Sequence, residues 1–182
     1  LGVVSTEMTY FAVGHYQYDG GVMVTASHNP AEYNGFKLCR KQAAPVSFET
    51  GIDRIAKLTS QYHPPRGEQL GQVIMSDIFG EYKKHVLKFA SNLRHLRVVI
   101  DAGNGMAGKT IPVVCEGLPI EIIPLYFELD GTFPNHEANP LKPENMVDLQ
   151  KKVREARAHL GVAFDGDADR CFFVDEMGRT IG

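Results

Sequence analysis

Three carboxylates at alternate positions stand out near the end of the chain. Asp165, Asp167 and Asp169 directly follow an apolar run, and Arg170 comes next. In an extended loop this spacing places all three side chains on one side of the backbone. Carboxylates that close repel one another unless a cation neutralises them, and hard oxygen ligands suit Mg²⁺ or Ca²⁺ rather than a soft metal. The motif predicts a divalent-cation site, with a solvated acidic turn as the simpler alternative.

The same residues also invite comparison with an EF-hand calcium loop. The three aspartates would stand at its positions one, three and five, and Glu176 at position twelve. Position six requires glycine for a sharp turn, however, and it is Arg170 here, while the flanking segments resemble strands rather than helices. We therefore expect Glu176 to be a surface residue after a strand. A Ca²⁺-binding interaction module remains the non-enzymatic alternative.

A second candidate is the segment T-A-S-H-N-P at residues 25–30, which follows a short apolar run. Ser27, on a stiff loop after a strand, is placed as a nucleophile would be, and His28 beside it could supply a cation or move a proton. No G-x-S-x-G motif surrounds Ser27, so a serine–histidine hydrolase is not supported. The alternative is an ordinary polar loop with a capping serine.

A third segment satisfies the Walker A pattern G-x-x-x-x-G-K-[ST]. It spans residues 103–110 after an apolar strand, and residues 162–165 could serve as a Walker B strand. Two features oppose a P-loop NTPase. Pro112 falls in the first turn of the following helix, and the acidic segment carries two aspartates that a Walker B strand does not need. We favour a strand-to-helix turn whose glycines allow close packing, and the NTPase is the rival enzyme.

Strands and helices must alternate to position these motifs, and the hydrophobic pattern predicts that they do. We expect strands at 22–24 (short and buried), 36–39, 97–102, 120–126, 160–164 and 171–174. We also expect four helices: one that begins after a cap at Ser5 or Thr6, one over 52–59, one over 78–93 with Ser76 as N-cap, and one from Pro143 whose apolar stripe runs to Leu160. This alternation indicates an α/β fold with mixed or largely parallel sheets. Residues 63–67 are rich in helix breakers and predict a linker, so we expect two consecutive α/β domains joined near Gly71.

The composition excludes several other classes of protein. The 182 residues suit one large domain or two small ones. With 43% hydrophobic and 23% charged residues, the composition is that of a folded globular protein and not of an intrinsically disordered one. A net charge of −3 removes the simplest case for non-specific nucleic-acid binding, and no apolar run is long enough to cross a membrane. Cys39, Cys115 and Cys171 form no CxxC pair, which disfavours a zinc ribbon or a disulfide scaffold. We expect core cysteines in a reduced, cytoplasmic compartment.

Taken together, five motifs resemble those of the α-D-phosphohexomutase family. They are T-A-S-H-N-P, E-Y-N-G-F-K, D-A-G-N-G-x-A-G, D-G-x-F-P-N and D-G-D-A-D-R, in the same order over nearly the whole chain. Within the family the resemblance is greatest to bacterial phosphomannomutases, including those that also act as phosphoglucomutases. It implies parts of the first two domains of a four-domain enzyme: the phosphoserine domain at 1–71 and the metal-binding domain at 72–182.

The resemblance also implies a role for each matching residue. Ser27 occupies the position of the phosphoserine, which donates and recovers a phosphoryl group. The three aspartates of the acidic motif occupy Mg²⁺-ligand positions, with the phosphoserine supplying a further oxygen. His28, Lys37 and Arg170 match basic positions beside the reacting phosphate, with Lys37 as the candidate general acid or base. Lys109 matches a structural turn and is then a surface cation.

The activity implied by the resemblance is that of an isomerase. It interconverts mannose 6-phosphate and mannose 1-phosphate through a bisphosphorylated sugar, with a phosphoglucomutase as the alternative in the same family. The expected partners are a phosphosugar and the remaining domains of a longer chain, with no nucleic acid and no membrane. From the start at Leu1 and the end at Gly182 we expect a fragment without useful mutase activity alone, because the resemblance implies that the family's sugar-reading loop lies in a later domain.

Overall fold

The computed structural model describes residues 1–63 and 71–181. Its first part contains α1 (Thr6–His15), β1 (Gly20–Val24), β2 (Phe36–Arg40), β3 (Ala44–Pro45) and α2 (Asp53–Gln61), with short helical turns at Lys41–Ala43 and Phe48–Ile52. The second part contains α3 (Phe79–Leu87), β4 (Leu96–Asp101), α4 (Ala107–Cys115), β5 (Ile120–Leu125), a helical turn at Pro143–Met146, α5 (Val147–Ala156), β6 (Leu160–Phe164), β7 (Cys171–Asp175) and β8 (Thr180–Ile181). The α/β class is confirmed. Most of the predicted linker lies outside the described residues, and the boundary near Gly71 stays a prediction.

The larger sheet has the strand order β5-β4-β6-β7-β8. Strand β4 pairs in parallel with β5 and β6, whereas β7 and β8 are antiparallel additions. Helix α5 packs on one face through Leu149 and Val153, which meet Val99 and Ala163 of the sheet. Because β4 and β6 run in the same direction, their carboxyl ends lie side by side, with Asp101 opposite Ala163. The acidic motif therefore starts at the edge where ligands bind in open α/β sheets.

The smaller sheet, β1-β2-β3, is antiparallel and has helix α1 against β1 and β2. Strand β1 was predicted to be buried, and that prediction is wrong. Met23 lies half-buried within reach of Thr9 in α1, but Val22 and Val24 are both 58% exposed. Successive side chains of a strand point to opposite faces, so the valines lie on the face opposite α1. A short apolar run does not show that both faces of a strand are covered.

Helix α1 packs against α3 and thereby joins the two described parts. Val4, Met8 and Ala12 form a buried cluster with Ile78, and Tyr82 packs against it. The first turn of α1 reaches the acidic motif at residues 165–170, where the amide of Thr6 donates to the carbonyl oxygen of Asp167 at 3.2 Å. No helix in the described ranges could cross a membrane, since the longest has ten residues.

Two of the predicted helices are shorter than expected. The helix expected over 78–93 ends at Leu87, and Asp77 rather than Ser76 accepts the amide of Phe79 at its start. Its apolar period continues beyond the helix, but the residues there are exposed and have no core to cover. The helix from Pro143 also stops early, because Arg157 adopts a left-handed φ of 48° and Leu160 already belongs to β6.

The three cysteines differ in burial, although all were predicted to be core residues. Cys39 is buried, Cys115 is half-buried and Cys171 is exposed. Cys171 stands opposite Phe164 at the start of the β6–β7 hairpin, where the alternation of β7 directs its side chain outward. The apolar neighbours of Cys171 in the sequence therefore led to a wrong prediction that its side chain is buried.

Candidate functional site

The acidic motif forms a tight turn between β6 and β7. One oxygen from each of Asp165, Asp167 and Asp169 lies within 4.8 Å of the others, which confirms that the three carboxylates share one side. The predicted extended loop is wrong, however: Ala168 has a left-handed φ of 62°, and its amide donates to the carbonyl oxygen of Asp165. Asp165 and Asp167 are buried and Asp169 is exposed, so the cluster opens to solvent at one end.

Ser27 lies on the loop that joins β1 to β2, and this loop meets the acidic turn. Its φ of 58° is left-handed, which is uncommon for a residue with a side chain, and its amide donates to the hydroxyl of Thr25. The Oγ of Ser27 lies 3.2 Å from both Asp165 Oδ2 and Asp167 Oδ1. A hydroxyl and two carboxylates from separate parts of the chain thus face one another.

Two cations pair with the carboxylates of this cluster. Lys37, in β2, pairs through Nζ with Asp167 at 2.6 Å and with Asp169 at 2.5 Å. Arg170 donates from Nε and Nη2 to Asp165 Oδ2, at 2.9 and 2.7 Å, and Nη2 also lies 3.3 Å from Ser27 Oγ. All the charged groups that were predicted to act on a phosphate are therefore brought together.

His28 completes the group through a contact with Arg170. Its Nδ1 lies 2.5 Å from Arg170 Nη2 and 3.4 Å from the Oγ of Ser27. A guanidinium can only donate, so Nδ1 of His28 is the acceptor in this contact. The arrangement leaves Nε2 of His28 as the donor available to another molecule.

The pKa values of the cluster are shifted by burial and by these pairs. Burial raises the pKa of Asp165 and, together with repulsion from Asp167, outweighs the hydrogen bonds from Arg170. Burial also acts to raise the pKa of Asp167, but hydrogen bonds from Lys37 and Thr6 outweigh it, and that pKa is lowered. Burial acts to lower the pKa of Lys37, whereas its bonds to Asp167 and Asp169 raise it overall. Lys37 therefore holds its proton firmly in this arrangement.

The donor set fits a hard divalent cation. It consists only of oxygens, from Asp165, Asp167 and Asp169, with the hydroxyl of Ser27 at their edge. Mg²⁺ and Ca²⁺ prefer such ligands, whereas zinc sites draw mainly on nitrogen and sulfur. These four residues could hold the metal. Strands rather than helices flank the turn, and Glu176 is exposed in the hairpin after β7, so the arrangement is not an EF-hand.

Three further residues belong to the site and had not been singled out from the sequence. The hydroxyls of Thr6 and Thr25 both donate to Asp167 Oδ2, at 2.6 and 3.2 Å. Glu7 is next to Thr6, and its pKa is raised to about 7, chiefly by burial, with repulsion from the three aspartates of the turn adding to it. Thr6 had been considered only as a helix cap. Its partner is 161 positions away, so no local pattern could have revealed the contact.

The Walker-like segment does not form a phosphate cradle in the described structure. A Cβ on Gly103 would lie 3.3 Å from Ala138, and side chains on Gly105 and Gly108 would collide with neighbouring backbone. Lys109 is exposed, as the resemblance implied, and its Nζ donates to the carbonyl oxygen of Val3 at 2.7 Å. The glycines serve close packing, and the ammonium of Lys109 bonds to the backbone at Val3.

The D-G-x-F-P-N segment is anchored to the end of β4 by a buried ion pair. His136 Nε2 lies 2.9 Å from Asp101 Oδ2, and Nδ1 lies 2.8 Å from the carbonyl oxygen of Glu137. Burial acts to lower the pKa of His136, but the bond with Asp101 outweighs it and raises that pKa. Because both ring nitrogens face acceptors, the surroundings favour the protonated imidazolium form of the ring. The amide of Asn135 also donates to Asn104 Oδ1 at 2.8 Å, which links two of the motifs.

Two family models match nearly the whole chain. One is described as phosphoglucomutase/phosphomannomutase, alpha/beta/alpha domain I, and matches residues 1–64. The other, described as alpha/beta/alpha domain II of the same proteins, matches residues 80–178. The loop between β1 and β2 that carries Ser27 (the serine loop) falls within the region matched by the first model, and the acidic turn falls within the region matched by the second.

Curated proteins and a crystal structure are similar over the same extent. A protein of Xanthomonas campestris named phosphohexose mutases is 43% identical over 100% of this chain and 41% of its own, and a phosphomannomutase of Salmonella typhimurium is 42% identical over 100% and 42%. An X-ray structure of a phosphoglucomutase/phosphomannomutase family protein from Burkholderia thailandensis matches with a TM-score of 0.84 and 32% identity, over 98% of this chain and 40% of that one. The chain spans about two fifths of the length of these relatives.

Proposed function

The chain belongs to the phosphoglucomutase/phosphomannomutase family, and from that premise we propose that it forms the phosphoserine and metal-binding part of a Mg²⁺-dependent phosphomannomutase. The observation that carries the proposal is the position of Ser27 Oγ, 3.2 Å from both Asp165 and Asp167 and 3.3 Å from Arg170, with Lys37 paired to Asp167. Phosphoryl transfer depends mainly on positioning and charge neutralisation, and this cluster offers both.

In the proposed reaction, phosphorylated Ser27 transfers its phosphoryl group to the free hydroxyl of a mannose monophosphate. The P–O bond to Ser27 Oγ breaks and a P–O bond to the sugar forms, which gives a bisphosphorylated sugar. The sugar then reorients and returns its other phosphoryl group to the serine. The sugar hydroxyl loses a proton and Ser27 Oγ regains one. Because Lys37 is protonated at the start, we propose that it first donates its proton to Ser27 Oγ and then recovers one from the sugar hydroxyl. Each cycle therefore restores the enzyme.

The side chains divide the remaining work. Arg170 and Lys37 neutralise negative charge beside the transferring group, and Nε2–H of His28 can donate to a phosphate oxygen. The left-handed backbone of Ser27 is a strained conformation that the Thr25 hydroxyl supports through the serine amide. A Mg²⁺ ion held by the three aspartates would supply Lewis-acid charge stabilisation.

Mannose is our proposed substrate because relatives over the full extent of this chain are named phosphomannomutase. A phosphoglucomutase is the alternative, since the family model names both activities. We propose the sugar from similarity alone, because no described contact reads a sugar hydroxyl.

The decisive experiment is intact-mass measurement and phosphopeptide mapping of the gene product that contains these residues. We expect one phosphate on Ser27, which is lost when the protein is mixed with excess mannose 1-phosphate, because the phosphoryl group leaves as mannose 1,6-bisphosphate, and which returns when that bisphosphate is added. Active enzyme with its phosphate mapped elsewhere and Ser27 unmodified would contradict the proposal. Parallel assays with mannose 1-phosphate and glucose 1-phosphate decide between the two sugars.

A further inference from the structure

Two glycines place the acidic turn in direct backbone contact with both helix α4 and the serine loop. A Cβ on Gly105, just before α4, would lie 2.5 Å from the carbonyl oxygen and 2.8 Å from the Cα of Gly166. A Cβ on Gly166 would collide with the carbonyl oxygen of Ser27 and lie 3.3 Å from the ring of Phe133. The backbones of Gly105, Gly166 and Ser27 are therefore stacked in that order with no room for a methyl group.

These glycines are required for space rather than for their backbone conformation. Neither Gly105 nor Gly166 has a positive φ, whereas Gly103 in the same segment has a φ of 51°. Alanine could therefore adopt the torsion angles of Gly105 without strain. Any effect of that substitution must come from the contact with Gly166.

The turn is also attached at the same point. The amide of Met106 donates to the carbonyl oxygen of Gly166 at 2.9 Å, and the amide of Thr6 holds the next residue, Asp167. Gly166 lies between Asp165 and Asp167, the two carboxylates that contact Ser27 Oγ. The distance between the backbone of Gly166 and the start of α4 therefore determines where the carboxylates of Asp165 and Asp167 lie relative to Ser27 Oγ.

We infer that Gly105 is a positioning residue for metal binding and phosphoryl transfer, and that this is the role of the Walker-like segment. A methyl group on Gly105 would push the turn away from α4 and lengthen or break the hydrogen bond from the amide of Met106 to the carbonyl oxygen of Gly166. A displacement of about 1 Å in a reacting group can slow a reaction about 100-fold. The inference rests on the proposed function, since it concerns the alignment of the same site.

The test compares Gly105→Ala with two glycine controls in the full-length protein. Gly108→Ala introduces a closer collision on α4, 2.1 Å against 2.5 Å for Gly105, but with the carbonyl oxygen of Phe127 rather than with the turn. Gly80→Ala adds a methyl group that meets nothing within 4 Å. Calorimetric titration with Mn²⁺, without substrate, measures the metal site, and steady-state assays with mannose 1-phosphate measure kcat and KM separately. Thermal unfolding reports stability.

For Gly105→Ala we expect Mn²⁺ affinity to fall about 10-fold or more and kcat to fall about 10- to 100-fold, with KM little changed. Gly108→Ala should lower the melting temperature while keeping the Mn²⁺ affinity of the parent, and Gly80→Ala should change neither. An unchanged Mn²⁺ affinity and kcat in Gly105→Ala would overturn the inference, as would an equal loss of affinity in Gly108→Ala.

A second variant decides the matter if Gly105→Ala does not fold. Met106 has a φ of −64°, which suits proline, and Met106→Pro removes the amide that holds Gly166. Weakened Mn²⁺ binding supports the inference, and parental affinity overturns it. A parent without phosphate on Ser27 and without turnover would contradict the proposed function instead, and the Mn²⁺ titrations would still decide the role of Gly105.

Discussion

The Oγ of Ser27 lies 3.2 Å from Asp165 Oδ2, although 138 positions of sequence separate the two residues. Arg170 spans the same pair, since its Nη2 reaches both the carboxylate at 2.7 Å and the hydroxyl at 3.3 Å. The hairpin loop after β1 and the turn after β6 are thus joined by charge-assisted hydrogen bonds, which are stronger than neutral ones. Substitutions of the residues that join these two loops should therefore distinguish effects on catalytic activity from effects on folding stability.

Replacing the serine should abolish turnover without removing the metal site. In the full-length protein, we expect Ser27→Ala to lower mutase turnover by more than about 10³-fold, because the group that carries the phosphate is absent. Metal affinity should remain within a few-fold of the parent, since the three aspartates are intact. Ser47→Ala, on an exposed turn, is the matched control and should keep full activity. Substantial turnover in Ser27→Ala would refute the phosphoserine role.

A divalent ion should stabilise the fold through the acidic turn. Binding to the native state alone adds about 2.7 kcal/mol at a free concentration 100 times Kd, which thermal unfolding with and without Mg²⁺ would detect. Asp167→Asn should lose most of this increment, because it removes a buried ligand. Asp19→Asn removes an exposed carboxylate that pairs with Lys41 and should keep it. An equal Mg²⁺ increment in both variants would place the ion elsewhere.

Lys37 should be needed for transfer but not for metal binding. Its ammonium neutralises Asp167 and Asp169, so Lys37→Gln leaves those carboxylates more available to a divalent ion. We expect Mn²⁺ to bind Lys37→Gln at least as tightly as the parent, while kcat falls about 10²- to 10⁴-fold, the range for loss of an acid–base group. Lys41→Gln, which breaks only an exposed pair, is the control. Weaker Mn²⁺ binding in Lys37→Gln would contradict this assignment.

Local spacing predicted some parts of the site well and others not at all. The clustering of Asp165, Asp167 and Asp169 was predicted from their closeness in sequence, but a tight turn at Ala168 brings them together rather than the extended loop that was expected. The position of Ser27 on a loop after a strand suggested a nucleophile, whereas its role as a phosphoserine and the role of Lys37 came from resemblance. Thr6 was missed because a hydroxyl at a helix start indicates a cap, whereas tertiary packing directs it to Asp167.

The fold shows the same division. The strands were located because their apolar residues recur with a clear period, but burial of β1 was misjudged. Periodicity reports which residues share a face, and it does not report what covers that face. The exposed valines of β1 and the exposed Cys171 both follow from this.

The Walker-like lysine should matter for stability only. Lys109 Nζ donates to Val3 O and lies 5.2 Å from the centre of the Phe79 ring. Lys109→Ala should lower the free energy of unfolding by about 1 kcal/mol, the value of an exposed cation–π contact with its hydrogen bond, and leave mutase kcat unchanged. Chemical denaturation and the mutase assay measure the two effects. Loss of a nucleotide-hydrolysing activity in Lys109→Ala would revive the NTPase alternative.

The ion pair between His136 and Asp101 should make stability fall as the pH rises. The groups that face the ring are the Asp101 carboxylate, the Glu137 carbonyl oxygen and the more distant Asp148, with Tyr126 packed edge-on at 5.3 Å. They raise the pKa of His136 above its value of 6.5 in the unfolded chain. The folded state therefore binds the proton more tightly, so the stabilisation is complete below pH 6.5 and is lost as the pH rises through the higher, folded pKa.

The measurement is the free energy of unfolding against pH in His136→Gln and in the exposed control His95→Gln. We expect His136→Gln to be destabilised most at about pH 6 and progressively less at alkaline pH, because the parent loses its imidazolium there. His95→Gln should follow the parent at every pH. A destabilisation of His136→Gln that stays constant from acid to alkaline pH would show that the ring acts by packing alone and that its charge does not hold the D-G-x-F-P-N segment to β4.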